Sequence, residues 1–126
     1  MKRGSFVKKR VLVVDDSRVA LMEIERLLKD TEFEIVGYCP DGESALNQYE
    51  EVQPDLVLMD IVMPGQSGLE VSAVLRQLYP DSRIIIVSSL NDDVIEDFTR
   101  AIGCKGLCQK PFGQEELLDT MRKALI

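Results

Sequence analysis

What constrains this chain most is a rhythm of five short apolar runs, each followed by a segment with helical periodicity. The runs are Val11 to Val14, Phe33 to Tyr38, Leu56 to Met59, Ile84 to Val87 and the weaker Gly106 to Gln109. Each has strand length and is bounded by turn residues. The segments between them place apolar residues on one helical face: Ala20, Leu21, Ile24, Leu27 and Leu28 in the first, Ala45, Leu46 and Tyr49 in the second. The third presents Val71, Val74, Leu75 and Leu78, starts with the capping-box pair Ser67 and Glu70, and stops before Pro80. The fourth opens at Asn91 with Asp92 and Asp93, presents Val94, Ile95, Phe98, Ala101 and Ile102, and ends at Gly103. The fifth offers Leu117, Leu118, Met121 and Leu125, with acids early and bases late as the helix dipole favours. All five stripes are expected to be core. Strand runs of Val and Ile without polar alternation suit burial on both faces, so the alternation predicts an α/β domain with a parallel sheet between helices.

With 126 residues the chain suits one domain with one core. A formal charge of −7 argues against direct nucleic-acid binding and against adhesion to anionic membranes. Lys2, Arg3, Lys8, Lys9 and Arg10 are the exception, and residues 1–9 read as a solvated basic lead-in. No apolar run reaches spanning length and the start lacks the core of a signal peptide, so neither membrane insertion nor export is expected and the location is read as cytoplasmic. Cys39, Cys104 and Cys108 match no metal spacing and read as buried free thiols. The chain has no histidine, which rules out Ser-His and Cys-His catalysis and His-ligated metals.

In an open parallel sheet, ligands bind beyond the carboxyl ends of the strands at the topological switch point. The residues following the runs are Asp15 and Asp16, then Asp60, then Ser88 and Ser89, then Lys110. Taken singly, Asp16 or Ser17 reads as a helix cap, Ser88 as a strand end and Lys110-Pro111 as a turn. With strand two at an edge and strand one beside strand three, however, three aspartates, a serine and a lysine share one pocket. Clustered carboxylates raise each other's proton affinity unless a cation neutralises them. With only oxygen ligands on offer, a hard divalent ion is the natural occupant, Mg²⁺ or Mn²⁺ in its place.

These residues carry a resemblance. Asp15-Asp16 after "VLVV", "LVLMDIVMPGQSGLEV" around Asp60, "IIIVSS" at Ser88 and "KPF" from Lys110 together resemble the receiver domain of two-component response regulators, over residues 10–126. The resemblance implies a single (βα)5 doubly wound sheet, flavodoxin-like, with strand order 2-1-3-4-5. It implies a phosphorylation-dependent switch in which Asp60 accepts a phosphoryl group from a phosphohistidine on a sensor histidine kinase or a histidine phosphotransfer protein. Asp15, Asp16, Asp60 and the backbone carbonyl of Val62 would hold Mg²⁺, while Lys110 and Ser88 would contact the phosphoryl oxygens. The fourth helix, fifth strand and fifth helix would form the surface read by a downstream effector or used for self-dimerisation. Leu107 departs from the family pattern, which has Tyr or Phe there as a rotamer switch. Val62 and Leu90 stand at rim positions where polar residues of the family orient a hydrolytic water, so a long-lived aspartyl phosphate is expected.

No turnover of an external substrate is expected. The alternative is an Mg²⁺-dependent phosphatase of the haloacid-dehalogenase type, disfavoured because that family carries a second aspartate two residues after its nucleophile, where this chain has Val62. Whether the receiver stands alone or is one part of a longer regulator stays open.

Overall fold

The computed structural model describes residues 7–90 and 92–126. Strands and helices alternate: β1 (Lys9–Val14), α1 (Arg18–Leu28), β2 (Phe33–Cys39), α2 (Gly42–Val52), β3 (Leu56–Asp60), α3 (Gly68–Leu78), β4 (Ile84–Ser88), α4 (Asp93–Ile102), β5 (Gly106–Gln109) and α5 (Gln114–Ala124). All strand pairs are parallel, in the order β2-β1-β3-β4-β5, so the expected flavodoxin-like fold is the observed one.

Alternation along the central strands builds two cores. Val11, Val13, Leu56, Leu58, Ile85 and Val87 face α1 and α5, where Ile24, Leu27, Leu117 and Met121 meet them. Leu12, Val14, Val57, Met59, Ile84 and Ile86 face the other way, against Ala45, Tyr49, Val71 and Leu75 of α2 and α3. Because both faces are covered, β3 and β4 bear no polar side chain until their last residues, and β1 none from Val11 to Val14. Each fully buried aliphatic contributes about 1.5–3 kcal/mol relative to exposure. The chain steps outward from β1 to β2 and then back past β1 to β3, which leaves a crevice between the tips of β1 and β3.

Helix ends follow their local chemistry. Ser17, Asp41, Ser67 and Asp92 cap α1 to α4 through their side chains, and the Ser67–Glu70 capping box is complete. Gly103 ends α4 with φ 93°, a left-handed conformation that glycine adopts without Cβ strain. The expected opening residue of α4, Asn91, lies outside the described residues, as do Lys2 and Arg3 of the basic arm; Asp92 is the cap.

Four expectations need correction. Lys8 and Lys9 of the basic lead-in are exposed, but the arm is not wholly free of the fold, since β1 begins at Lys9 and its backbone N–H donates to Glu32 O at 2.8 Å. Arg10 is half-buried, with its guanidinium on the Val52 and Gln53 carbonyls, so it braces the turn into β3. Cys39 and Cys108 are buried but Cys104, just before β5, is only half-buried; all three thiols are free. Leu78 is exposed at the last turn of α3, and in α4 the residues Val94, Phe98 and Ala101 are exposed while Ile95, Thr99 and Ile102 make up the covered side of the helix.

Among the described glycines, Gly68 marks the closest approach. It starts α3, its N–H donates to Ile61 O at 2.8 Å, and a Cβ there would fall 1.7 Å from the Asp60 carbonyl oxygen. Gly68→Ala is therefore expected to lower unfolding free energy by about 2 kcal/mol or more in urea titration. Gly113→Ala, where a Cβ meets nothing within 4 Å, should stay within about 1 kcal/mol. Equal effects would contradict this packing.

Candidate functional site

Asp15 is the first residue after β1 and is 2% exposed. Its N–H donates to Cys39 O at 2.9 Å, tying it to the end of β2, and its Oδ1 accepts the Ser17 N–H at 2.9 Å. Asp60 closes β3, 8% exposed, with Oδ1 accepting the Ile61 N–H at 2.9 Å. Asp16 is exposed and caps nothing, because Ser17 takes that role, its Oγ accepting the Ala20 N–H at 3.2 Å. Carboxylate oxygens of Asp15, Asp16 and Asp60 all lie within 4.8 Å of one another. The crevice thus gathers the three aspartates that the sequence singled out.

Lys110 enters from the end of β5, before a cis Lys110–Pro111 bond. Its Nζ lies 2.9 Å from Asp15 Oδ2 and 3.7 Å from Asp60 Oδ1, and its backbone N–H donates to Ser88 O at 2.8 Å. Ser88 is 1% exposed, and its Oγ accepts the Leu90 N–H at 3.0 Å, which leaves the hydroxyl proton free to donate. Ser89 is exposed. At the rim, Val62 and Leu90 are 62% and 40% exposed. Leu107 is half-buried against the second core and lines a cleft of about 210 Å³ between α4 and β5.

One lysine cannot balance three carboxylates. Two like charges 4.8 Å apart repel by about 3 kcal/mol at an effective dielectric near 20. Burial pushes the Asp60 carboxyl above its ordinary range, the Asp15 charge adds to this, and Lys110 and the Ile61 N–H offset only part. An all-oxygen donor set with unmet demand for positive charge, open to solvent on the Asp16 side, fits a hydrated Mg²⁺ or Mn²⁺.

A feature that the sequence did not disclose lies beside Lys110. Val19, Ala20 and Ile24 of α1, with Pro111 and Phe112, line a mainly apolar groove of about 360 Å³. Val19 and Met22, 75% and 64% exposed, are apolar residues off the buried face of α1, and that mismatch was the available signal.

Comparison with known proteins agrees with this geometry. The profile of the family described as response regulator receiver domain matches residues 11–122. The chemotaxis protein CheY of Listeria monocytogenes is 32% identical over 91% of this chain and 97% of its own. The response regulator GacA of Pseudomonas aeruginosa is 36% identical over 90% of this chain, which spans 54% of GacA. Among solved structures, the response regulator domain of Thermotoga maritima CheB superposes with a TM-score of 0.85, at 31% identity over 94% of this chain and 96% of that one. The phosphatase alternative finds no support.

The raised Asp60 carboxyl has a measurable sign. The folded protein holds this proton more tightly than the unfolded chain, so wild type loses stability as pH rises from about 3.9, the ordinary aspartate value, through the raised folded value. Asparagine at this position carries no such cost. In metal-free buffer at neutral pH, Asp60→Asn should melt at a higher temperature than wild type, with the difference shrinking on acidification. No gain at neutral pH, or a gain that grows in acid, would refute the electrostatic reading.

Proposed function

The chain belongs to the response regulator receiver domain family of two-component signalling, and we propose that within it Asp60 is the residue that takes the phosphoryl group. The observation that carries this reading is the convergence of the Asp15, Asp16 and Asp60 carboxylates around Lys110 at 2.9 and 3.7 Å. An Asp60 oxygen attacks phosphorus in line, the P–N bond of a phosphohistidine on a partner kinase or phosphotransfer protein breaks, and the leaving imidazole keeps the electron pair and is protonated. Asp15, Asp16 and Asp60 side chains with the Val62 carbonyl would hold Mg²⁺, which supplies charge neutralisation at the phosphoryl oxygens. Lys110, now bridging Asp15 and Asp60, is placed to turn to a phosphoryl oxygen as a point charge. Ser88 donates its free proton to another, drawing on the β4–α4 loop.

The donor protein must reach Asp60, and the apolar groove of α1 and Phe112 adjoins the site on the Lys110 side; we assign it to that docking. Readout belongs to α4, β5 and α5, which border Ser88 and Lys110, with an effector or a second copy as reader. The protein acts as a switch and turns over no external substrate. Among the described residues no helix is long and apolar enough to cross a membrane, and the proposed setting is the cytoplasm, where residues 10–126 form the receiver behind the basic lead-in.

Incubation with acetyl phosphate and Mg²⁺ should add one phosphoryl group at Asp60, detected by intact mass and peptide mapping. Asp60→Asn or EDTA should abolish it; labelling that persists in either would overturn the assignment.

The exposed rim residues Val62 and Leu90 can neither donate nor accept a hydrogen bond through their side chains, so they cannot orient a hydrolytic water. Once the donor is removed, Val62→Asn with Leu90→Glu should lose phosphate faster than wild type. About tenfold corresponds to 1.36 kcal/mol of barrier. Equal or slower decay in the double variant would refute the role of the rim.

A further inference from the structure

Helix α4 carries more apolar surface than the fold uses. Successive residues of a helix turn by about 100°, so Ile95, Thr99 and Ile102 share the side that meets the sheet; Thr99 is buried and Ile95 packs on the second core. Glu96 and Arg100 occupy the flank beside β5, where they line the cleft that reaches Cys104 and Leu107. Val94, Phe98 and Ala101 occupy the opposite flank and line, with Asp97, a separate depression. Val94 is 62% and Phe98 56% exposed, and Ala101 is exposed too. Residues at i, i+4 and i+7 form a continuous strip along a helix, and such a strip with an aromatic at its centre differs from a scatter of lone surface hydrophobics.

The border of the strip is acidic. Asp92, Asp93 and Asp97 are all exposed in the first turns of α4, and the one base of the helix, Arg100, is engaged with Asp97, Nη1 to Oδ1 at 3.4 Å. We propose that the Val94–Phe98–Ala101 flank of α4 docks a positively charged amphipathic helix of another protein, its apolar face on Phe98 and its Lys or Arg side chains against Asp93 and Asp97. Charge decides the occupant. A second copy would bring the same Asp97-bordered patch to itself across a two-fold axis and join two chains of net charge −7, whereas a basic helix turns the same carboxylates into partners. This strip is distinct from the readout face, because Glu96 and Arg100, not Val94 and Phe98, border β5. It stands independently of the chemistry at Asp60.

The test uses the full, unphosphorylated ¹⁵N-labelled chain and a synthetic helix of about five turns with leucine on one face and lysine on the other. Its counterpart carries glutamate in place of every lysine. The lysine peptide should shift amides from Asp93 to Ala101, the glutamate peptide should not bind, and Phe98→Ser should weaken binding about tenfold, or 1.4 kcal/mol, with an unchanged melting temperature. Equal binding by both peptides, shifts centred elsewhere, or affinity indifferent to Phe98→Ser would overturn the proposal. A melting temperature lowered by Phe98→Ser would return Phe98 to the core and overturn it equally. Concentration-dependent dimers abolished by Phe98→Ser would assign the strip to a second copy instead.

Discussion

The mutual repulsion of Asp15, Asp16 and Asp60 is the constraint around which the rest of this structure is arranged. Carboxylates kept within 4.8 Å of one another, two of them buried, persist only where the backbone leaves them no retreat. Asp15 is held between Cys39 and the Ser17 amide. Asp60 is held by the Ile61 amide and by the close approach of Gly68 behind its carbonyl. The strands that carry them, β3 buried throughout and β1 buried from Val11 to Val14, lie side by side because β2 is sent to the edge. Topology brings the charges together, and core packing keeps them there.

A site with a charge deficit responds strongly when charge changes, and the connections out of it are short. Lys110, at the end of β5, is tied to the end of β4 through its backbone N–H, which donates to Ser88 O. Ser88 in turn grips the Leu90 amide, two residues before the Asp92 cap of α4. In the proposed mechanism a phosphoryl group competes for both Lys110 and the Ser88 hydroxyl, so the bonds now holding the β4–α4 loop and the Lys110–Asp15 pair are the ones rearranged. Such differential contacts are what shift a two-state equilibrium. Leu107, between these elements, packs on the second core.

Much of this was legible in the sequence, for identifiable reasons. Runs such as "IIIV" bear their own signal of two-sided burial, and polar residues at run ends can be read against a parallel sheet, which is why Asp15, Asp60, Ser88 and Lys110 were found. Periodicity was less reliable in α4, where the apolar residues spread over the covered side, Ile95 and Ile102, and one flank, Val94, Phe98 and Ala101, and the pattern alone does not tell which of the two is covered. Arg10 reads from sequence as part of a solvated basic arm because its role depends on carbonyls more than forty residues away, at Val52 and Gln53. The groove between α1 and Phe112 is likewise a product of tertiary placement, hinted at only by Val19 and Met22 lying off the buried face. Lys110's present partners were also hidden, since spacing says that a lysine arrives but not which aspartate it meets first.

Paramagnetic mapping with Mn²⁺ tests whether the three carboxylates hold a cation, since it locates a divalent ion without requiring phosphorylation. Titrated into ¹⁵N-labelled protein, Mn²⁺ should broaden the amides around Asp15, Asp16, Asp60 and Val62 first, with Lys110 and Ser88 next, and excess Mg²⁺ should reverse the effect. Asp15→Asn with Asp16→Asn should shift the titration to much higher metal concentration. Broadening centred on the acidic turns of α4 or α5, or a titration unchanged in the double variant, would show that the cluster is not a cation site and would remove the electrostatic basis of the account.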